Sequence, residues 1–192
     1  ITFTGYSLTG ADAGNYTLAQ PTGVTGSITA KALTPTLTCT SKTYDGTTSA
    51  SNCTVALSGV ISGETVTGSA SSCTFANKNV GTGKTVTCTL AKSGTNAGNY
   101  TLATSGTGTA NITAKALTWG TKPTVSSKTY DGTTTGTISN HGAISGVVSG
   151  DTATLVTTNA KATFNNATVG SGKAITFTGY SLTGADAGNY TL

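Results

Sequence analysis

KTYDGTT stands at Lys42–Thr48 and again at Lys128–Thr134, 86 residues apart. ITAKALT stands at Ile28–Thr34 and again at Ile112–Thr118, 84 residues apart. GNYTL occurs three times, at Gly14–Leu18, Gly98–Leu102 and Gly188–Leu192, and Ile1–Leu18 is identical to Ile175–Leu192. A period in the mid-eighties is too long for one coil of a β-solenoid and matches one small β-sandwich domain. The chain therefore reads as one complete module, residues 32–118, between two incomplete ones. Residues 1–31 carry the C-terminal part of a module, and residues 119–192 carry a module lacking its last strand.

Two-residue alternation gives the fold class. Leu33, Pro35, Leu37 and Cys39 alternate with Thr34, Thr36, Thr38 and Thr40. Val86, Cys88 and Leu90 alternate with threonines, as do Ile175 and Phe177. One apolar face and one threonine face describe a half-buried antiparallel strand. No stretch has helical periodicity with caps, and glycine interrupts too often for helices. Strands are expected near 33–41, 50–58, 64–76, 84–92, 99–104 and 107–117. The turns between them contain YDGT, SGVISGE, NKNVGTGK and SGTNAGN, each with the Gly, Asn or Asp that a turn needs. ITAKALT runs into the next module without a flexible linker, so a stiff row of modules is expected.

Composition narrows the function classes. Only 8% of the 192 residues are charged, against about a quarter in ordinary soluble domains. The net charge is +4 and every basic residue is Lys. Scattered lysines without arginine are not a nucleic-acid surface. No apolar run reaches membrane-spanning length, so no membrane insertion is expected in this segment. The absence of Met, even at position 1, leads one to expect a window on a longer chain. Threonine supplies β-branched stiffness and a hydroxyl that keeps an uncharged surface wet.

DAGNYTL, at Asp12–Leu18 and Asp186–Leu192, resembles the turn before the penultimate strand of immunoglobulin-like domains, where a tyrosine hydroxyl bonds back to the corner backbone. The resemblance implies buried corner tyrosines at Tyr16, Tyr100 and Tyr190. Leu18, Leu102 and Leu192 stand where that family has Cys, and Asn96 replaces the Asp in the middle copy. The ordered set KTYDGTT, GD/GET, NVGTGK, DAGNYTL and ITAKALT resembles the YDG-type repeat of large bacterial surface proteins similar to filamentous-haemagglutinin adhesins. That resemblance implies a tandem stalk module outside the cell, on the bacterial surface. It implies no catalytic residues and no cofactor.

The fold expected is thus all-β, with tandem immunoglobulin-like antiparallel β-sandwich modules of about 84–90 residues. Tyr44, Asp45 and Gly46, with Tyr130, Asp131 and Gly132, are expected as Asp-Gly turns carrying a packed tyrosine, in preference to ligand or ion contacts. Four cysteines, Cys39, Cys53, Cys73 and Cys88, all lie in the middle module. Cys39 and Cys53 are symmetric about Gly46, and Cys73 and Cys88 are nearly symmetric about NVGTG. Hairpin geometry then favours bridges 39–53 and 73–88. Reduced, buried cysteines are the alternative. A metal site is disfavoured, since no CxxC occurs and His141 is the only histidine.

Trp119 is expected at a module junction. Lys31, Lys115, Asn99 and Asn189 have the residue types of a Lys–Asn isopeptide bond. The incomplete ends suggest completion by neighbouring repeat modules or by identical chains joined head to tail. Of the function classes, a non-catalytic stalk or filament repeat leads, and a glycan-binding β-sandwich is the alternative. No clustered acid, base and nucleophile supports an enzyme.

Overall fold

Threonine alternation builds the longest strand of the chain. In Gly81–Ser93, Val86, Cys88 and Leu90 are buried while Thr85, Thr87 and Thr89 face water. The computed structural model describes residues 1–192 throughout. Its first repeat contains β1 (Lys31–Ala32), β2 (Thr34–Thr38), β3 (Lys42–Thr43), β4 (Thr54–Ser58), β5 (Thr67–Phe75), β6 (Gly81–Ser93), β7 (Tyr100–Thr101) and β8 (Ser105–Thr113). The largest sheet has the order β3-β8-β6-β5, while β2 pairs with β4 and β1 with β7. β8 pairs with β6 from Thr89↔Ser105 to Gly81↔Ile112 and places Ala110 and Ile112 in the core.

The second repeat contains β9 (Lys115–Ala116), β10 (Thr118–Thr121), β11 (Thr124–Val125), β12 (Thr135–Gly136), β13 (Ile138–Asn140), β14 (Ala143–Ser145), β15 (Thr154–Val156), β16 (Lys161–Phe164), β17 (Ile175–Thr178), β18 (Ser181–Thr183) and β19 (Tyr190–Thr191). The long β5–β6 hairpin is divided here into β16–β17 and β15–β18. The extra residues around Asn159 and Gly179 break the ladder. Gly179 has φ +80°, and a Cβ there would lie 2.0 Å from the Asn159 carbonyl oxygen, so the bulge requires glycine.

The protein is all-β, with small sheets of mixed direction. The expectation of wholly antiparallel sheets is corrected, because β1–β7, β3–β8 and β9–β19 are parallel. Parallel neighbours need a long crossover, and the β4–β7 stretch supplies it between β3 and β8. Residues 1–30 form no strand, only a single 3₁₀ turn at Ala13–Asn15. Their counterparts β7 and β8 are held by partners within their own repeat, and residues 1–30 have no such partners. No helix is long and apolar enough to cross a membrane.

Burial is unequal between the repeats. Leu33, Phe75, Val86, Cys88, Leu90, Ala110 and Ile112 close the first core. In the second repeat Phe164, Ile175 and Phe177 stay only half-buried. No strand equivalent to β8 lies over them, since β17 pairs on one edge alone.

Candidate functional site

The YDG turn is a self-contained unit. The Lys42 ammonium donates to Asp45 Oδ1 at 2.8 Å, to the Thr47 carbonyl at 2.9 Å and to Thr47 Oγ1 at 3.0 Å. The Thr47 backbone N–H donates to the same Asp45 oxygen at 2.9 Å. Lys128, Asp131 and Thr133 repeat this arrangement. Gly46 and Gly132 take φ +80° and +76°, conformations that favour glycine. Burial pushes the Asp45 carboxyl up, but Lys42 and Thr47 outweigh it and hold it below the usual range. The Lys128 ammonium and the Thr133 donors hold Asp131 at about 2. Both carboxylates are thus occupied in closing a turn. Lys42, Thr47 and their counterparts were not singled out from sequence, although they belong to the repeated motif.

What the turn presents is its tyrosine. Tyr44 is 1% exposed, whereas the equivalent Tyr130 is 65% exposed. The expectation of a packed tyrosine therefore fails at Tyr130, and the reason is that Tyr44 is buried by the following repeat. The Tyr44 hydroxyl donates to Asp151 Oδ2 at 2.6 Å, and the Tyr190 hydroxyl donates to the same oxygen at 2.6 Å. The Lys78 ammonium donates to Asp151 Oδ1 at 2.6 Å and lies 3.4 Å from Asp186. The two tyrosine rings meet edge to face at 5.4 Å. The Val80 N–H donates to Asn189 Oδ1 at 2.9 Å, and the Val148 N–H donates to the Tyr190 hydroxyl at 2.9 Å. Tyr44, Lys78 and Val80 belong to the first repeat, and the other groups belong to the second. The site is a joint.

Electrostatics at the joint are mutually supporting. Lys78 and the two tyrosine hydroxyls hold the Asp151 carboxyl at about 2. Burial, reinforced by Asp151, pushes the Tyr190 phenol up to about 12. Burial also raises the Tyr44 phenol, and Asp151 raises the Lys78 ammonium. No buried side-chain nitrogen or oxygen lacks a partner.

The corner tyrosines divide by environment. Tyr190 and Tyr100 are buried, but Tyr16 is 71% exposed, because residues 1–30 have no facing loop. Tyr100 donates to Glu64 and accepts from the Ile61 N–H at 2.9 Å. The Tyr100 and Tyr190 hydroxyls thus bond to a facing loop, not to the corner's own backbone. Asn189 is buried against the first repeat and bonded to Val80, while its counterpart Asn99 is exposed. Trp119 meets Tyr180 edge to face, with ring centroids 5.2 Å apart, within the second repeat, and makes none of the joint's hydrogen bonds. Cys39 is bonded to Cys53 and Cys73 to Cys88, each with Cα atoms 4.1 Å apart. The sulfurs of Cys39, Cys53 and Cys88 lie within 4.8 Å of one another, so the bridges stack inside the first repeat. No cysteine is free to offer a thiolate.

The joint makes a paired prediction with two glycines. A Cβ on Gly46 would lie 2.7 Å from Val148 Cγ1 across the joint, and a Cβ on Gly132 would meet nothing within 4 Å. Gly46→Ala and Gly132→Ala should each cost about 1–2 kcal/mol in backbone strain. Only Gly46→Ala should also loosen the joint, seen as faster hydrogen exchange at the Val80 and Val148 amides. Equal exchange in both variants would refute the packing of Val148 on Gly46.

No curated protein and no solved structure matches the chain. The sequence model of the YDG domain family matches residues 29–108 and 113–192. The gap between the two matches falls inside β8, the strand that completes the first repeat. With both repeats matched, the chain belongs to the YDG domain family.

Proposed function

We propose that this chain is a load-bearing stretch of a secreted bacterial surface adhesin, in which each repeat acts as an immunoglobulin-like β brick. Its work is reach and attachment, including matrix or biofilm formation, and it carries out no chemistry. The single observation that supports this most is the joint. Tyr44, Lys78, Asp151 and Tyr190 are spent on fixing one repeat against the next. A linker built for mobility would not bury a carboxylate and two phenols in one network. The stacked disulfides agree with an oxidising compartment, and the low charge agrees with a threonine-covered exterior. Two grooves lie beside β17 and Trp119, but Trp119 has no tryptophan counterpart in the other copies, which weighs against glycan binding.

Two measurements test the reading. Small-angle scattering of the chain should fit one fixed arrangement of the two repeats, without an ensemble of angles. Antibodies against the chain should label intact cells of the source organism, and deletion of the repeats should reduce attachment. A freely hinged pair, or a protein confined to the cytosol, would overturn the proposal.

A further inference from the structure

Tension along a row of repeats enters the first repeat at β1 and leaves it at the end of β8. From the direction of the strands we infer that β8 bears this tension, sheared against a wall made of β3 and the YDG turn. The inference rests on the load-bearing reading and names the element that carries the load. The strands at the entry of the repeat run parallel to their partners, β1 to β7 with Lys31↔Tyr100, and β3 to β8 with Lys42↔Ile112 and Thr43↔Thr113. β9 enters the second repeat in the same way, with Lys115↔Tyr190. Direction decides the mechanics. In an antiparallel pair pulled at two adjacent ends, force opens one bond at a time. In the parallel pair β3–β8, the upstream chain pulls the start of β3 and the downstream chain pulls the end of β8. The two strands then slide in opposite senses, and the evenly spaced bonds between them are loaded together.

The bonds that would be sheared are specific and dry. The Tyr44 N–H donates to the Thr113 carbonyl at 2.8 Å. The Asn111 N–H donates to Ser41 Oγ at 3.0 Å, and the Thr113 hydroxyl donates to the Lys42 carbonyl at 3.3 Å. Tyr44 and Ile112, one on each side of this seam, are both buried, so water has little access to replace a bond as it lengthens. The YDG turn fixes the wall. Lys42, bonded to Asp45 and Thr47, closes the chain directly behind β3, and the Tyr44 hydroxyl on Asp151 ties the same point to the second repeat.

The disulfides stand where such a clamp needs them. β8 has two neighbours, β3 and β6, and each is covalently fixed. β3 lies inside the loop closed by Cys39–Cys53, so tension arriving along β2 crosses the bridge and does not strip β3 from β8. β6 carries Cys88, bonded to Cys73 on β5, so β6 stays on β5 when β8 drags against it. The bridges also limit the extension once β8 has slid free, because the residues between bonded cysteines lie outside the tension path. Separations of 14 and 15 residues hide roughly 100 Å of chain, at about 3.5 Å per residue. Forced unfolding is set by the unfolding barrier rather than by the equilibrium stability. The same folded repeat should therefore be strong along the chain and weak in a direction that opens an antiparallel pair.

The test is single-molecule force spectroscopy on the oxidised full chain, pulled in two directions. Handles at the two chain ends shear β8. Handles at Thr34 and Ser62, both exposed, pull the adjacent ends of the antiparallel pair β2–β4, beginning at Thr34↔Ser58. The end-to-end pull should break the first repeat at a severalfold higher force than the second geometry. Cys73→Ala with Cys88→Ala should lengthen that step by about 50 Å and lower its force, which also identifies it as the first repeat. Ser41→Ala with Thr113→Val removes two bonds of the seam at exposed positions. It should lower the end-to-end force and leave the Thr34–Ser62 force unchanged. Equal forces in the two directions, or an end-to-end force untouched by Ser41→Ala with Thr113→Val, would each overturn the inference. Neither result changes the fixed arrangement of the repeats in scattering or the attachment of cells, so a failed clamp is distinguishable from a failed stalk reading.

Discussion

Reduction of the two disulfides should unfold the first repeat under conditions in which the oxidised chain is intact. The bridges close loops with sequence separations of 14 and 15, and a loop of that size is worth about 3 kcal/mol. Two successive bridges in one repeat should together contribute about 5 kcal/mol, allowing for incomplete additivity. That is comparable to the whole stability of a small domain, about 5–15 kcal/mol. The core offers little to compensate, because only 14 of 192 residues are buried. The expected fall in melting temperature is about 20 °C or more, read by calorimetry with and without a phosphine reductant. Cys39→Ala with Cys53→Ala, and Cys73→Ala with Cys88→Ala, should each produce roughly half of it. Reductant should leave β16–β17 protected from hydrogen exchange, since the second repeat holds no cysteine. A shift of only a few degrees would mean that packing, not cross-linking, holds the first repeat together.

The first repeat and the joint mark how much of the architecture was legible and where legibility stopped. Val86, Cys88 and Leu90 alternate with threonine, and the strand they predict is the strand observed. The repeated motifs located every turn that the Lys–Asp–Gly–Thr chemistry builds. Strand direction was not legible, because alternation is the same for parallel and antiparallel neighbours. The partner of β3 is β8, far along the chain, and nothing local encodes that choice. The joint was half legible. Tyr44 and Tyr190 stood out because they recur, but Asp151 stood out only as part of a GD/GET landmark, without a role. Lys78 gave no signal at all, since its counterpart is Ala167 and a residue that differs between copies looks dispensable. Its importance comes from a contact between repeats, and the periodicity of one repeat cannot report that contact.

Removal of the Asp151 carboxylate should uncouple the two repeats while leaving each folded. The Asp151 side chain is 3% exposed and is the common acceptor for Lys78, Tyr44 and Tyr190. Asp151→Ala strands two phenolic donors, each costing about 1–3 kcal/mol when left unsatisfied in a buried site. Water reaching the half-exposed Lys78 side reduces this, so an overall loss of about 2–3 kcal/mol in coupling is expected. Asp151→Asn should lose less, because its amide oxygen still accepts from the tyrosines, although its nitrogen cannot receive the Lys78 proton. pH should act on the same group without mutation. The carboxyl is held at about 2 in the folded chain, below its ordinary 3.8. Its contribution is therefore complete above pH 4 and lost as pH falls toward 2. Tyr190 acts at the other extreme. Its phenol is raised to about 12 from 10.0, so its contribution is complete below pH 10 and lost as pH rises through 12. The joint should thus open in acid and again in strong base. Exchange at the Val80 and Val148 amides and the spread of interrepeat angles in scattering should both report it. In Asp151→Ala the acid transition should vanish, because the group that titrates is gone. An acid transition of unchanged size in that variant would place the titrating group elsewhere and leave the joint held by packing alone.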